Sequence, residues 1–113
     1  MARWDTNGGN QGFKSLQHLR KHFNKHNAKF DPPFANEREY EQAGIEFMSG
    51  AGENPLNDVY QASFYRPGSI FHGDLVRYDK AKNIFGIKTN RGVLRTFYPP
   101  VNGILEFFNT FVS

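Results

Sequence analysis

His18, His22 and His26 recur at every fourth position within residues 16 to 27. On an α-helix that spacing drifts only about 40° per step, so the three imidazoles share roughly one face. Arg20, Lys21 and Lys25 stand beside them. Neighbouring positive charge lowers a histidine's pKa and favours the neutral base, and a bound phosphate pushes it back up. A neutral imidazole near pH 7 can take the proton from a ribose 2′-hydroxyl, whose oxygen then attacks the adjoining phosphorus. A second group protonates the leaving 5′-oxygen while cations stabilise the charge on phosphorus. That chemistry needs no metal and leaves a 2′,3′-cyclic phosphate and a 5′-hydroxyl. Two other readings compete. A basic helix often carries solvated histidines with no chemical role. The His-x-x-x-His spacing also suits zinc, although the motif lacks a metalloprotease glutamate and Lys14, Arg20, Lys21, Lys25 and Lys29 oppose a dication.

A second set lies in Arg95-Thr96-Phe97-Tyr98. Strand alternation puts Thr96 and Tyr98 on one face and Arg95 and Phe97 on the other. With Phe97 in the core, Thr96 and Tyr98 point to an open face, with Arg77 as a neighbour. A hydroxyl, a phenol and a guanidinium can bind a phosphate and donate a proton. The plain alternative is that Thr and Tyr are good strand formers. His72 and Arg66 are open between acid–base or phosphate-binding roles and turn positions.

These groups need elements to hold them. A first helix is expected over residues 15 to 27, with Leu16, Leu19, Phe23 and then Asn27 or Phe30 at helical spacing. Asp31-Pro32-Pro33 stops it. A second helix is expected from Asn36, where Glu39 three residues on makes a capping-box-like start. Tyr40, Ala43, Phe47 and Met48 form its apolar stripe, and residues 49 to 52 end it. A polar loop over residues 53 to 67 is expected to hold a short strand around Tyr60 to Tyr65. From Gly73 the period changes to two, predicting strands over residues 75–78, 84–88 and 93–98 with turns at 79–83 and 89–92. Strands so close in sequence predict an antiparallel meander. Ile104, Leu105, Phe107, Phe108 and Phe111 return to helical spacing and predict a last short helix on the sheet. The expected fold class is α+β, N-terminal helices packed on a twisted antiparallel sheet.

The chain has 113 residues, enough for one domain with one core. Hydrophobic residues make up 38% and charged residues 22%, a globular balance. Twelve Phe against two Met and one Trp mean that phenylalanine must fill the core. The net charge of +3 permits a nucleic-acid partner, and its distribution says more. Lys14, Arg20, Lys21, Lys25 and Lys29 follow one another without an acid. Arg77, Lys80, Lys82, Lys88, Arg91 and Arg95 are relieved by Asp79 alone, and acids gather at Glu37, Glu39, Glu41 and Glu46. Two basic stretches separated by an acidic one imply a face. The absence of cysteine excludes disulfides, thiolate metal sites and a cysteine nucleophile. No apolar run approaches the ~18 residues of a membrane span, and the start has no hydrophobic signal core. Residues 1 to 13, rich in Gly and Asn, read as a linker, and residues 14 to 113 as a single domain. Export is then expected to depend on something upstream.

Leu19-Arg20-Lys21-His22-Phe23-Asn24-Lys25-His26 followed by Phe30 resembles the opening of the toxin modules at the C-termini of CdiA-type and Rhs-type bacterial polymorphic toxins. Glu39-Tyr40 with Ala43 and Phe47 is similar to their second helix. Arg77-Tyr78-Asp79, Asn83, Phe85-Gly86, Gly92 and Arg95-Thr96-Phe97-Tyr98-Pro99 are similar to their closing pattern. The resemblance runs from about Leu16 to Pro99. It implies a ribonuclease of the barnase–EndoU–colicin–RelE-like group, metal-independent and without a cofactor, many of whose toxin members cut tRNA, often in the anticodon loop. By matched position it implicates His22, His26, Thr96 and Tyr98 in catalysis. Lys25 and Arg77, with Arg95, His72 and Arg66, are the candidate substrate contacts. His18 lies just outside the pattern. The resemblance also implies a cognate immunity protein, for which an acidic surface covering the basic cleft is the physical expectation. It implies export as the C-terminus of a larger effector and action in the target-cell cytoplasm. Asn27 stands where those modules commonly have glycine. Residues 49 to 67 match no part of the pattern and are the expected seat of RNA specificity.

Two further readings stay open. A non-catalytic RNA-binding module would use Tyr60, Phe64, Tyr65 and Phe71 for base stacking. A metal-dependent DNA-cutting nuclease would need a carboxylate cluster, for which Asp74 and Asp79 near His72 are the candidates.

Overall fold

The computed structural model describes residues 11–50 and 58–112. Helix α1, Leu16–His26, starts where the Ser15 hydroxyl oxygen accepts from the His18 N–H at 3.2 Å. Lys25 lies in its last turn, where the helix dipole favours positive charge. A 3₁₀ turn, Asn27–Lys29, continues it. The Asn27 amide donates to the Phe34 carbonyl at 2.9 Å and accepts from the Phe34 N–H at 2.8 Å. A glycine could not brace the following loop in this way, which gives Asn27 its local role. Leu19 is buried and Phe23 half-buried, but Leu16, expected in the same stripe, is exposed in the first turn.

Helix α2, Glu37–Met48, begins as expected: Asn36 Oδ1 accepts from the Glu39 N–H at 2.9 Å. Its stripe also holds, with Tyr40 and Met48 buried and Ala43 and Phe47 packed against the same core. Past its end, Gly50 sits at φ 84°. The expected stop at residues 49 to 52 and the first part of the following loop run into residues 51–57, outside the described ones.

The sheet contains β1 (Gln11–Phe13), β2 (Val59–Ser63), β3 (Leu75–Asp79), β4 (Ile84–Lys88) and β5 (Val93–Tyr98), in the order β1-β5-β4-β3-β2. Strands β2 to β5 form the antiparallel meander. The sheet as a whole is mixed, because β1 lies parallel on β5 with Gln11 opposite Val93. So the last three residues of the segment read as a linker are a strand. Three residues are too few to show alternation, and tertiary contacts hold them. The Glu41 carboxylate accepts from the Phe13 N–H at 2.9 Å, and it lies so close to Gly12 that a β-carbon there would meet it.

Helices α1 and α2 cover one sheet face, where Phe13, Leu19, Phe30, Tyr40, Met48, Leu94 and Phe97 make the core. A β-carbon at Gly86 would lie 2.6 Å from Met48 Sδ, so glycine there lets α2 come close. Helix α3, Ile104–Thr110, covers the other face, where Phe107 joins Val76, Tyr78 and Phe85. The molecule is therefore α+β as expected, with helices on both sides of the sheet. The face expected to be open is not open.

Two side-chain placements differ from those expected. Ile87 pairs with Thr96 but Lys88 with Leu94, so Arg95 is an extra residue in β5. Such a bulge reverses the facing of the side chains before it. Arg95 accordingly lies among Val76, Ile87 and Thr110 on the α3 side instead of beside Phe97. Arg77 pairs with Gly86 and Gly86 with Phe97, which puts Arg77 on the α2 side, away from Thr96 and Tyr98. It is 2% exposed, its Nη1 donates to Gln61 Oε1 at 2.8 Å, and its guanidinium lies 5.3 Å from the Phe47 ring. Among the described residues no helix is long and apolar enough to cross a membrane.

Candidate active site

Helix α1 runs along the flank of β5. At its start Lys14, His18 and His22 face Thr89, Arg91, Val93, Leu94 and Arg95 across a groove of about 530 Å³. At its end the His26 ring stacks on Tyr98, with centroids 4.5 Å apart and planes at 12°. His22 lies between, stacked on Phe13 at 4.9 Å and 5.7 Å from the His26 ring.

The Nδ1 atoms of His22 and His26 are both buried without a hydrogen-bond partner among the described residues. An imidazolium donates from both ring nitrogens, so protonating either ring would strand a charged N–H in the interior. Burial lowers the His22 pKa, aided by His18, Lys21 and Lys25. Burial, then Lys29, His22 and Lys25, pushes His26 down to about 4. Neighbouring cations were expected to neutralise these histidines; burial is the larger cause. Both rings are neutral at pH 7. With Nδ1 enclosed, Nε2 is the His22 nitrogen left to meet a ligand in the groove.

The groove carries Lys14, Arg91 and Arg95 beside two imidazoles, a setting for a phosphodiester. The turn bearing Arg91 is fixed by Thr89, whose hydroxyl oxygen accepts from the N–H groups of Arg91 and Val93 at 3.2 and 3.1 Å. Lys14, Thr89 and Arg91 were not singled out as site residues. Lys14 and Arg91 belong to the two basic stretches, but only the packing of α1 on β5 brings the stretches together. His18, just outside the family pattern, is a groove residue.

The other expected site residues divide. Tyr98 meets His26, but its hydroxyl donates to Glu106 Oε2 on α3 at 2.6 Å. Burial, with that bond and the nearby charge, raises its pKa. Thr96 is half-buried on β5 opposite Ile87 and is not among the residues lining the groove. Lys25 is exposed on α1 and acts on both histidines through its charge. Arg77 is remote from them on the α2 face. Arg95 donates to Asp74 Oδ2 at 2.6 Å and to the Ile70 carbonyl at 3.2 Å while lining the groove. His72 is a turn residue: its Nδ1 accepts from the Arg66 N–H at 2.9 Å and its ring rests against Tyr65. The Arg66 guanidinium lies 5.0 Å from the Phe64 ring.

Among the described residues no three His, Asp or Glu side chains gather where they could hold a metal ion. Asp74 is bound to Arg95, and the Asp79 carboxylate accepts from the Lys82 N–H at 3.1 Å. No family model matches the chain, and no curated protein matches it.

Proposed function

We propose that this chain is an endoribonuclease that cleaves RNA by metal-independent transesterification. The observation that carries the reading is His22, a neutral imidazole with one enclosed nitrogen, lining a groove with three cationic side chains. In this mechanism the negative charge of the bound phosphodiester offsets the cost of charging His22, whose Nε2 takes the 2′-hydroxyl proton, and Lys14, Arg91 and Arg95 stabilise the charge that builds on phosphorus. His18 is one helical turn away in the same groove and protonates the leaving 5′-oxygen. His26, 4% exposed and stacked on Tyr98, positions His22 and does not touch the substrate. The resemblance to bacterial toxin modules supports tRNA as the substrate and export on a larger effector into a target cell. It also supports an immunity protein, which would lay an acidic surface over the groove.

The test is to incubate the purified chain with total bacterial tRNA in excess EDTA and to map fragment ends. The reading expects discrete fragments ending in 2′,3′-cyclic phosphate and 5′-hydroxyl, lost with His22→Ala. Intact tRNA in EDTA, with cleavage only after a divalent metal is added, overturns it. A second reading, a non-catalytic RNA-binding module, draws on the exposed rings of Tyr65 (81%) and Phe71 (46%). It expects retention of RNA without cleavage under either condition, unchanged by His22→Ala.

A further inference from the structure

Beyond Arg95 lies a second cavity, of about 390 Å³, in the range usual for small-ligand sites. The connection between β2 and β3 forms one wall and Thr110 of α3 another. That connection is tightly folded. Phe64 and Asp74 close its base, the Phe64 N–H donating to the Asp74 carbonyl at 2.8 Å and the Gly73 N–H to the Phe64 carbonyl at 2.7 Å. The Ser69 hydroxyl oxygen accepts from the Phe71 N–H at 3.0 Å. The cavity is thus held open by backbone hydrogen bonds before any ligand arrives.

Its lining has two flat, cationic plates. The Arg66 guanidinium lies over Phe64 at 5.0 Å and that of Arg95 over Phe71 at 5.1 Å. Asp74, 4% exposed, also lines the cavity, its carboxylate anchored on Arg95 Nε at 2.6 Å. Aromatic rings and guanidinium planes stack on any base, whatever its sequence. A carboxylate accepts from an exocyclic amino group. Arg95 lines this cavity and also the His22 groove. One nucleotide can therefore set its phosphate in the groove and its base here, with Arg95 between.

We infer that the cavity walled by Phe64, Phe71, Arg66 and Asp74 is a nucleobase subsite that seats an unpaired, amino-bearing base next to the reacting phosphate, an inference that rests on the RNA-cleaving reading. It holds the strand in register with His22. It also selects single-stranded positions, because a paired base cannot enter.

The experiment is a nuclear magnetic resonance titration of the full chain with inorganic phosphate and with the 3′-monophosphates of adenosine, cytidine, guanosine and uridine. Phosphate alone is expected to shift His22 and Arg91. The amino-bearing nucleotides are expected to shift Phe64, Phe71 and Thr110 as well, and uridine 3′-monophosphate to bind more weakly. Phe71→Ala, at a half-exposed position, is expected to weaken nucleotide binding about tenfold and to leave phosphate binding unchanged. Phe71→Trp is expected to restore it. Nucleotides that shift only the groove residues overturn the subsite and leave the catalytic reading standing. Shifts around Phe71, in a chain that leaves tRNA intact, uphold the base site and overturn the nuclease. Silence at both places overturns both.

Discussion

His22 and His26 are one helical turn apart on α1, yet their neighbours differ. His22 rests on Phe13 and opens onto a groove of cations, whereas His26 is closed in against Tyr98, whose hydroxyl donates to Glu106. Burial drives both toward the neutral form, and only one is neutral where a substrate can use it. Residue type and spacing therefore select a helix face, while the strand lying opposite each turn decides which residue on that face reacts. Along β5 the change comes between Arg95, which lines the groove, and Tyr98, which lies under His26.

The sharpest way to break this comparison is to remove each ring in turn. His22→Ala is expected to lower single-turnover cleavage by about 10²–10⁴-fold, the usual worth of a positioned acid–base group, with little change in thermal stability. Equal losses of cleavage from His22→Ala and His26→Ala would erase the distinction. Next in size is the effect of pH on stability. The His26 pKa is about 4 in the fold against 6.5 as a free side chain. Between those values the unfolded chain binds the extra proton, so stability falls as pH drops from 6.5 toward 4, by up to roughly 3 kcal/mol. His22 adds a contribution of the same sign. Denaturant titrations across this range should show the slope, and His26→Phe should reduce it to the part that His22 contributes.

At neutral pH, His26→Ala is expected to cost about 1–3 kcal/mol through the lost stack and the space left behind. His26→Phe keeps the ring without its unpaired nitrogen and should match or exceed the parent in denaturant midpoint while still cleaving RNA. The smallest effect belongs to Arg91→Ala. It should weaken RNA binding several-fold, uniformly across sequences, and reduce the slope of log affinity against log salt by about one. A filter-binding series over ionic strength measures it.

Much of the fold was legible in the residues. The Asn36 cap, the Tyr40-to-Met48 stripe and the three alternating runs around two turns each act locally, and each formed as expected. The misses share a cause, long-range contact. Strand β1 has no pattern of its own and exists because β5 and Glu41 hold it. The Arg95 bulge is invisible in Val93–Tyr98, because alternation presumes one residue per rung. Once the bulge shifts the phase, Arg95 joins the α3 side, and register puts Arg77 on the other. Within the candidate site, the histidine face was readable from spacing. Lys14, Thr89 and Arg91 were not, since their relation to His22 comes from two segments that lie far apart in the chain.

Strand β5 is paired by β1 only at Val93 and Leu94, which leaves its far half at the rim of the sheet among the described residues. There the Tyr40 hydroxyl donates to the Phe97 carbonyl at 2.7 Å, and His26 packs flat against Tyr98. A phenol and an imidazole thus occupy the place of a further strand. An uncovered rim of this kind is where a second chain can add itself and begin an aggregate. The helix that carries the histidines therefore also guards the sheet, and loosening its last turn would cost solubility before it cost chemistry.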